Sequence, residues 1–185
     1  MRYIFGLLLI TLFSTNMLYA QPQKGRFIDA SIGFGISIPS DDIDIEGSGF
    51  YAQAEYVFAI KKWFGVRPYA GVIFTSPTES ENPSLSEYRV SSDALMLGGK
   101  ARVCAPIPWF APYFEVGLGA SFGKFETYTP FDNIEKKGVL MHIPLTFGVA
   151  LGKKHNVEIA FSYYYHPTAS QVNGAAAIGM SFPLN

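Results

Sequence analysis

The 185 residues hold 14 Lys and Arg against 15 Asp and Glu, so at a net charge of −1 the chain offers no basic footprint for nucleic acid. Charged residues make up 16%, where an average soluble domain carries about 25%, while aromatics reach 16% and glycines number 18. Beyond residue 20 no apolar run approaches the roughly 18 residues of a helical span, so the composition suits a barrel whose outside meets lipid.

Residues 1–20 read as a cleaved signal peptide: Arg2 precedes the apolar run IFGLLLITLF, and Ala20 is a small residue at a plausible cut before Gln21. Leu18, three residues before the cut, is larger than the peptidase prefers and leaves the cleavage site open. Gln21 and not a cysteine stands directly after the cut, so no lipid anchor is expected. Residues 21–185 then form one domain.

Eight windows of period two follow. Ile28, Ala30, Ile32, Phe34, Ile36 and Ile38 alternate with Asp29, Ser31, Gly33, Gly35 and Ser37, and strict alternation puts the two sets on opposite faces of a strand. The second window runs from Phe50 to Ile60 and the third from Val66 to Phe74, where Pro68 lacks an amide donor and is expected at the strand start. Windows four to eight run from Leu95 to Val103, Pro112 to Phe122, Val139 to Val149, Val157 to Tyr165 and Ala176 to Leu184. No charged residue falls on the apolar face of any window. A Lys or Arg there costs about 2–4 kcal/mol at the bilayer midplane, so the absence carries weight.

The links alternate in character too. KKWFG, APIPWF and GKKHN are short, whereas PSDDIDIEGS, PTESENPSLSEYR, KFETYTPFDNIEKKG and PTASQVN are mostly longer and more polar. Short turns on one rim and long loops on the other predict an all-β, eight-stranded antiparallel up-and-down transmembrane β-barrel, with both termini on the periplasmic side. Trp63, Phe64, Trp109 and Phe110 lie in the short turns as a periplasmic aromatic girdle, which Phe27 and Phe182 would join from the wall.

With the windows placed, the chain resembles the small eight-stranded outer-membrane barrels of the OmpX and OmpA-barrel type, and most of all the outer-membrane β-barrel domain common among Bacteroidota. The resemblance is one of pattern and covers the whole mature chain. It implies an integral outer-membrane location, contact with lipid and lipopolysaccharide, and delivery by the barrel-assembly machinery. The last strand, with Ile178, Met180 and Phe182, resembles the signal read by that machinery, although Pro183, Leu184 and Asn185 follow the aromatic residue. No segment remains for a wall-binding domain.

On the polar face, Asp29, Glu55, Arg67, Lys100, Arg102, Glu115 and Glu158 all fall in the periplasmic half of the lumen when strands run alternately up and down. Buried charges persist only when paired, so an ion-pair network is expected there, either filling the lumen or acting as a gate. An eight-stranded barrel is just wide enough for its own side chains. Inward Gly33, Gly35, Gly71, Gly98, Gly117, Gly119, Gly148 and Gly179 interleave with Tyr51, Tyr69, Tyr113 and Tyr164 so that the rings can pack, and a small cavity is left open in the upper half.

No catalytic, cofactor or metal set emerges. His166 and Ser170 loosely resemble the His and Ser of lipid A deacylases, but their spacing is four and parity turns His166 inward. His142, alone on its lumen face, reads as a hydrogen-bonded filler, and Cys104 as an inert residue at a strand end. Asp41, Asp42, Asp44 and Glu46 form an acidic loop that either stays solvated or binds Ca²⁺, without the EF-hand spacing. The expected function is that of a non-enzymatic outer-membrane barrel with a filled lumen, acting in envelope structure or through surface ligands on its extracellular loops. The alternatives are a narrow channel or small-ligand carrier using the upper lumen, a lipid-modifying barrel enzyme, and a soluble lipocalin-like barrel with its apolar face inside.

Overall fold

The computed structural model describes residues 24–79 and 83–184; the expected signal peptide lies outside them. Eight strands close a barrel in sequence order: β1 (Gly25–Pro39), β2 (Gly47–Ala59), β3 (Phe64–Pro77), β4 (Arg89–Cys104), β5 (Phe110–Tyr128), β6 (Asn133–Leu151), β7 (Val157–His166) and β8 (Gln171–Leu184). Every neighbouring pair is antiparallel, and β1 closes on β8 from Arg26↔Leu184 to Pro39↔Gln171. Closure leaves no free sheet edge around the waist, so backbone donors and acceptors there meet partners within the wall.

The alternating pattern sets which face is wet. On β1, Ile32 is 61% exposed while Asp29 is 4% exposed. On β5, Leu118 is 66% exposed and Glu115 fully buried. The same inversion repeats around the ring, so the Ile, Leu, Val and Phe rows point outward and the polar rows point to the axis. A lipocalin-like barrel would need the reverse. Its apolar rows would form the core, and here they form the skin.

Four strands reach further than their apolar windows. β5 and β6 continue as a ladder from Lys124↔Lys137 to Tyr128↔Asn133, which leaves only residues 129–132 as the turn of the segment expected to be a long loop. There Lys124, Glu126 and Glu135 replace apolar residues on the outward row, while Phe125 and Thr127 keep the inward parity and are fully buried. Period two therefore persists where hydrophobicity stops. β4 likewise starts at Arg89, and β8 at Gln171 after a single 3-10 turn at Pro167–Ala169.

Pro68 is the fifth residue of β3, not its first. Its missing donor is accommodated by a break in the β2–β3 ladder between Glu55↔Tyr69 and Phe58↔Val66. Two inward glycines make space for rings. A Cβ on Gly119 would overlap His142 Nε2 and the Tyr69 hydroxyl, and one on Gly148 would overlap the Tyr113 ring. Gly119→Ala is expected to cost about 1–3 kcal/mol through overpacking, seen as an earlier urea midpoint of the folded barrel. An unchanged midpoint would mean that these rings are loosely held.

Candidate functional site

The structure brings the seven lumen charges predicted from sequence into one buried cluster near the short-turn end, with Asp29, Glu55, Arg67, Lys100, Arg102, Glu115 and Glu158 each at most 8% exposed. Lys100 Nζ lies 2.5 Å from Glu55 and 2.8 Å from Glu115. Arg102 reaches Glu115 through Nε at 2.5 Å and clamps both oxygens of Glu158 at 2.6 and 2.7 Å. Arg67 donates to Glu55 at 2.7 Å, approaches Glu158 at 3.3 Å and sits 3.6 Å from Asp29. The guanidinium of Arg102 stacks 3.5 Å above the Tyr113 ring, whose hydroxyl donates to Glu158 at 2.8 Å. Four carboxylates thus share three cations, with hydrogen bonds from Gln53 and Ser181 supplementing the pairing. Paired this closely, the ions hold the lower wall together from within.

Above the ions lies a layer of rings. Tyr164 donates to Gln53 at 2.6 Å and shares a 2.7 Å hydrogen bond with Tyr51. His142 is a buried, hydrogen-bonded filler, as expected from sequence, but it does not stand alone. Ser121 Oγ stands 2.7 Å from His142 Nδ1 and 2.8 Å from His166 Nε2, and Tyr69 bonds to His142 Nε2. The chain has a direction. His166 Nδ1 faces the Tyr164 carbonyl at 3.0 Å, which can only accept, so that nitrogen carries the proton. With both rings neutral, Ser121 then donates to His166, His142 Nδ1–H donates to Ser121, and Tyr69 donates to His142. Both histidines are at most 1% exposed.

Ile73, Met96, Phe125 and Leu140 form an apolar plug above the rings. An uncharged layer closes the loop end: Ser37 and Ser92 donate to Asn173 Oδ1 at 2.7 and 2.9 Å, and Thr127 donates to Gln171 at 2.9 Å and to the Ala169 carbonyl at 2.8 Å. Sequence reasoning missed this layer because Gln171 and Asn173 fell in an expected loop. Their spacing of two on the inward parity of β8 was the available signal. The upper lumen is packed. The cavity of about 320 Å³ lies at the opposite, short-turn mouth, which corrects the expectation of space in the upper half.

At that mouth Trp63, Trp109 and Phe110 are about half exposed, with Phe64 half-buried beside Trp63 at a ring distance of 5.7 Å. Phe182 lies outward with them. Phe27 does not: it shares the inward parity of Asp29 and lines the cavity, because a one-residue step along a strand reverses the face. Cys104 ends β4, where its thiol donates to the Lys62 carbonyl at 3.2 Å. In the acidic loop Asp41 accepts from Thr129 at 2.7 Å, and no group of three potential metal ligands converges among the described residues.

No family model matches the sequence, and no curated protein does. Solved structures do match by shape. Neisserial surface protein A aligns at a TM-score of 0.62 and 11% identity, over 87% of this chain and 98% of that one. The outer membrane protein OprG from Pseudomonas aeruginosa aligns at 0.52 and 10% identity, over 89% and 99%. The chain has the fold of a small outer-membrane β-barrel. Identities this low speak to architecture, so the role must come from the side chains of this barrel.

Proposed function

We propose that this outer-membrane barrel is non-enzymatic, with a lumen filled by its own side chains, and acts in envelope structure or surface contact through its extracellular loops. The observation that carries this reading is the inversion of the fold, with ions, tyrosines and amides inside and a continuous apolar skin outside. Such a skin on a closed barrel is stable where lipid covers it. The buried Ser121–His166 pair, with no route for substrate, supports the absence of catalysis. Lipid and lipopolysaccharide are the partners of the wall, and the assembly machinery is the partner of folding. The acidic segment at residues 40–46 and the β5–β6 hairpin are the surfaces open to an external ligand.

Whole-cell protease shaving with membrane fractionation tests location and orientation together. A Glu-specific protease should clip intact cells at the acidic loop, whereas trypsin should reach Lys61 and Lys62 only after the outer membrane is opened. Recovery of full-length protein in the detergent-free soluble fraction would end this reading.

A further inference from the structure

The cavity at the short-turn mouth has a chemistry that the filled lumen does not explain. Its wall is apolar, contributed by residues such as Phe27, Val57, Ala111 and Ala150. Its lining carries Lys61, Lys62 and Lys154 with Arg67 and Arg102, against the single carboxylate of Glu158. That carboxylate is already held by Arg102, Arg67 and Tyr113. None of the three lysines has a carboxylate within ion-pair distance among the described residues. The mouth is therefore greasy on its sides and uncompensated in charge.

A second feature also asks for a ligand. His155 is 5% exposed and lines the cavity, and its Nε2 hydrogen-bonds the Ile107 carbonyl at 3.0 Å, joining two turns. That contact fixes the proton on Nε2 and leaves Nδ1 buried without a hydrogen-bond partner. As an unprotonated acceptor, it would be completed by a hydroxyl on a bound molecule, such as the P–OH of a phosphate monoester, and not by a carboxylate. The volume reaches the lower bound of small-molecule sites, which are typically about 300–1,000 Å³, concave and mostly apolar with a few convergent polar groups.

We infer that this mouth binds an amphiphilic anion, with its apolar body against Ala111 and Ala150 and its carboxylate or phosphate among Lys61, Lys62 and Lys154. Two sources share that chemistry: fatty-acid carboxylates and phosphate monoesters released from lipid, and soluble aryl or alkyl carboxylates. Cations do not fit, because the lysines repel them. This site lies at the end of the barrel opposite the extracellular loops and is independent of what those loops bind.

Cys104 supplies the readout, being the only cysteine of the chain and part of the cavity lining. The full barrel in phosphatidylcholine bilayers is alkylated with a maleimide, alone and with laurate, dodecyl phosphate, phenylacetate or dodecyltrimethylammonium. The anions should slow alkylation, and dodecyltrimethylammonium should not. Protection by laurate and dodecyl phosphate alone assigns the lipid-derived source, and protection by phenylacetate the soluble one. In Lys61→Gln/Lys62→Gln/Lys154→Gln, half-protection should need at least about tenfold more anion, since three ammonium charges are lost. Ala150→Phe, checked for folding by heat-modifiable migration and backed by Ala111→Leu, should abolish protection by filling the space. Equal protection by the cation, protection that survives both filled variants, or no protection by any anion overturns the proposal.

Discussion

Replacing Glu115 by alanine is expected to lower the unfolding free energy of the barrel by about 3–5 kcal/mol, the cost of removing one partner from a buried ion pair. Glu115 is fully buried and lies between Lys100 at 2.8 Å and Arg102 at 2.5 Å, with Arg67 at 3.7 Å. Its removal leaves cations facing one another with three carboxylates in place of four. Lys100 and Arg102 are at most 8% exposed, so little water can replace the lost partner. Glu115→Gln keeps the shape and one acceptor and should cost less than alanine, which separates charge from volume. Urea unfolding in phospholipid vesicles, followed by tryptophan fluorescence, gives both numbers. If alanine and wild type unfold together, the ions are solvated and the cluster does not brace the wall.

The membership of that cluster was legible in sequence, but its pairing was not. Parity alone assigns Glu55, Arg67, Lys100 and Glu115 to the inside, and alternating strand direction assigns them to one end. The contact between Arg102 and Glu158 crosses the lumen between residues 56 apart, at 2.6 Å, and depends on the stagger with which the sheet closes. No local pattern encodes that stagger. The histidine pair was hidden for the same reason. His142 on β6 and His166 on β7 reach Ser121 on β5 only because three strands, each placed by its own register, arrive at one height.

The strand ends failed for a different reason. Hydrophobic alternation marks the part of a strand that meets lipid, and it stops at Phe122 and Val139 although the backbone ladder continues to Tyr128↔Asn133. Beyond the apolar belt, Lys137 pairs with Glu135 at 2.8 Å and Arg89 lies 4.5 Å over the Tyr128 ring, so outward polar contacts sustain the sheet in place of lipid. Sequence reasoning that equates a strand with an apolar row therefore reports the belt and misses the extension. The cavity was displaced too: the ion-pair network was expected to fill the lower lumen, whereas Ala111 and Ala150 leave its mouth open and Gln171, Asn173 and Phe125 fill the other end.

Leu118→Arg discriminates between the membrane and aqueous readings of the outer wall, because the two predict effects of different size at an exposed position. Leu118 is 66% exposed on β5, on the outward row that runs between Phe110 at the turn end and Lys124 beyond the belt. In water, arginine at so exposed a site would be neutral to within about 0.5 kcal/mol. In lipid near the midplane the guanidinium loses its hydration, and the barrel should lose about 2–4 kcal/mol. Lys124→Leu makes the matching test at the belt's upper edge, where the outward row already carries charge and the change should be small. A large loss at Leu118 beside a small change at Lys124 places the lipid boundary between them. Equal tolerance at both positions would mean that water wets the Ile, Leu and Phe rows, and the membrane assignment of the fold would fall with it.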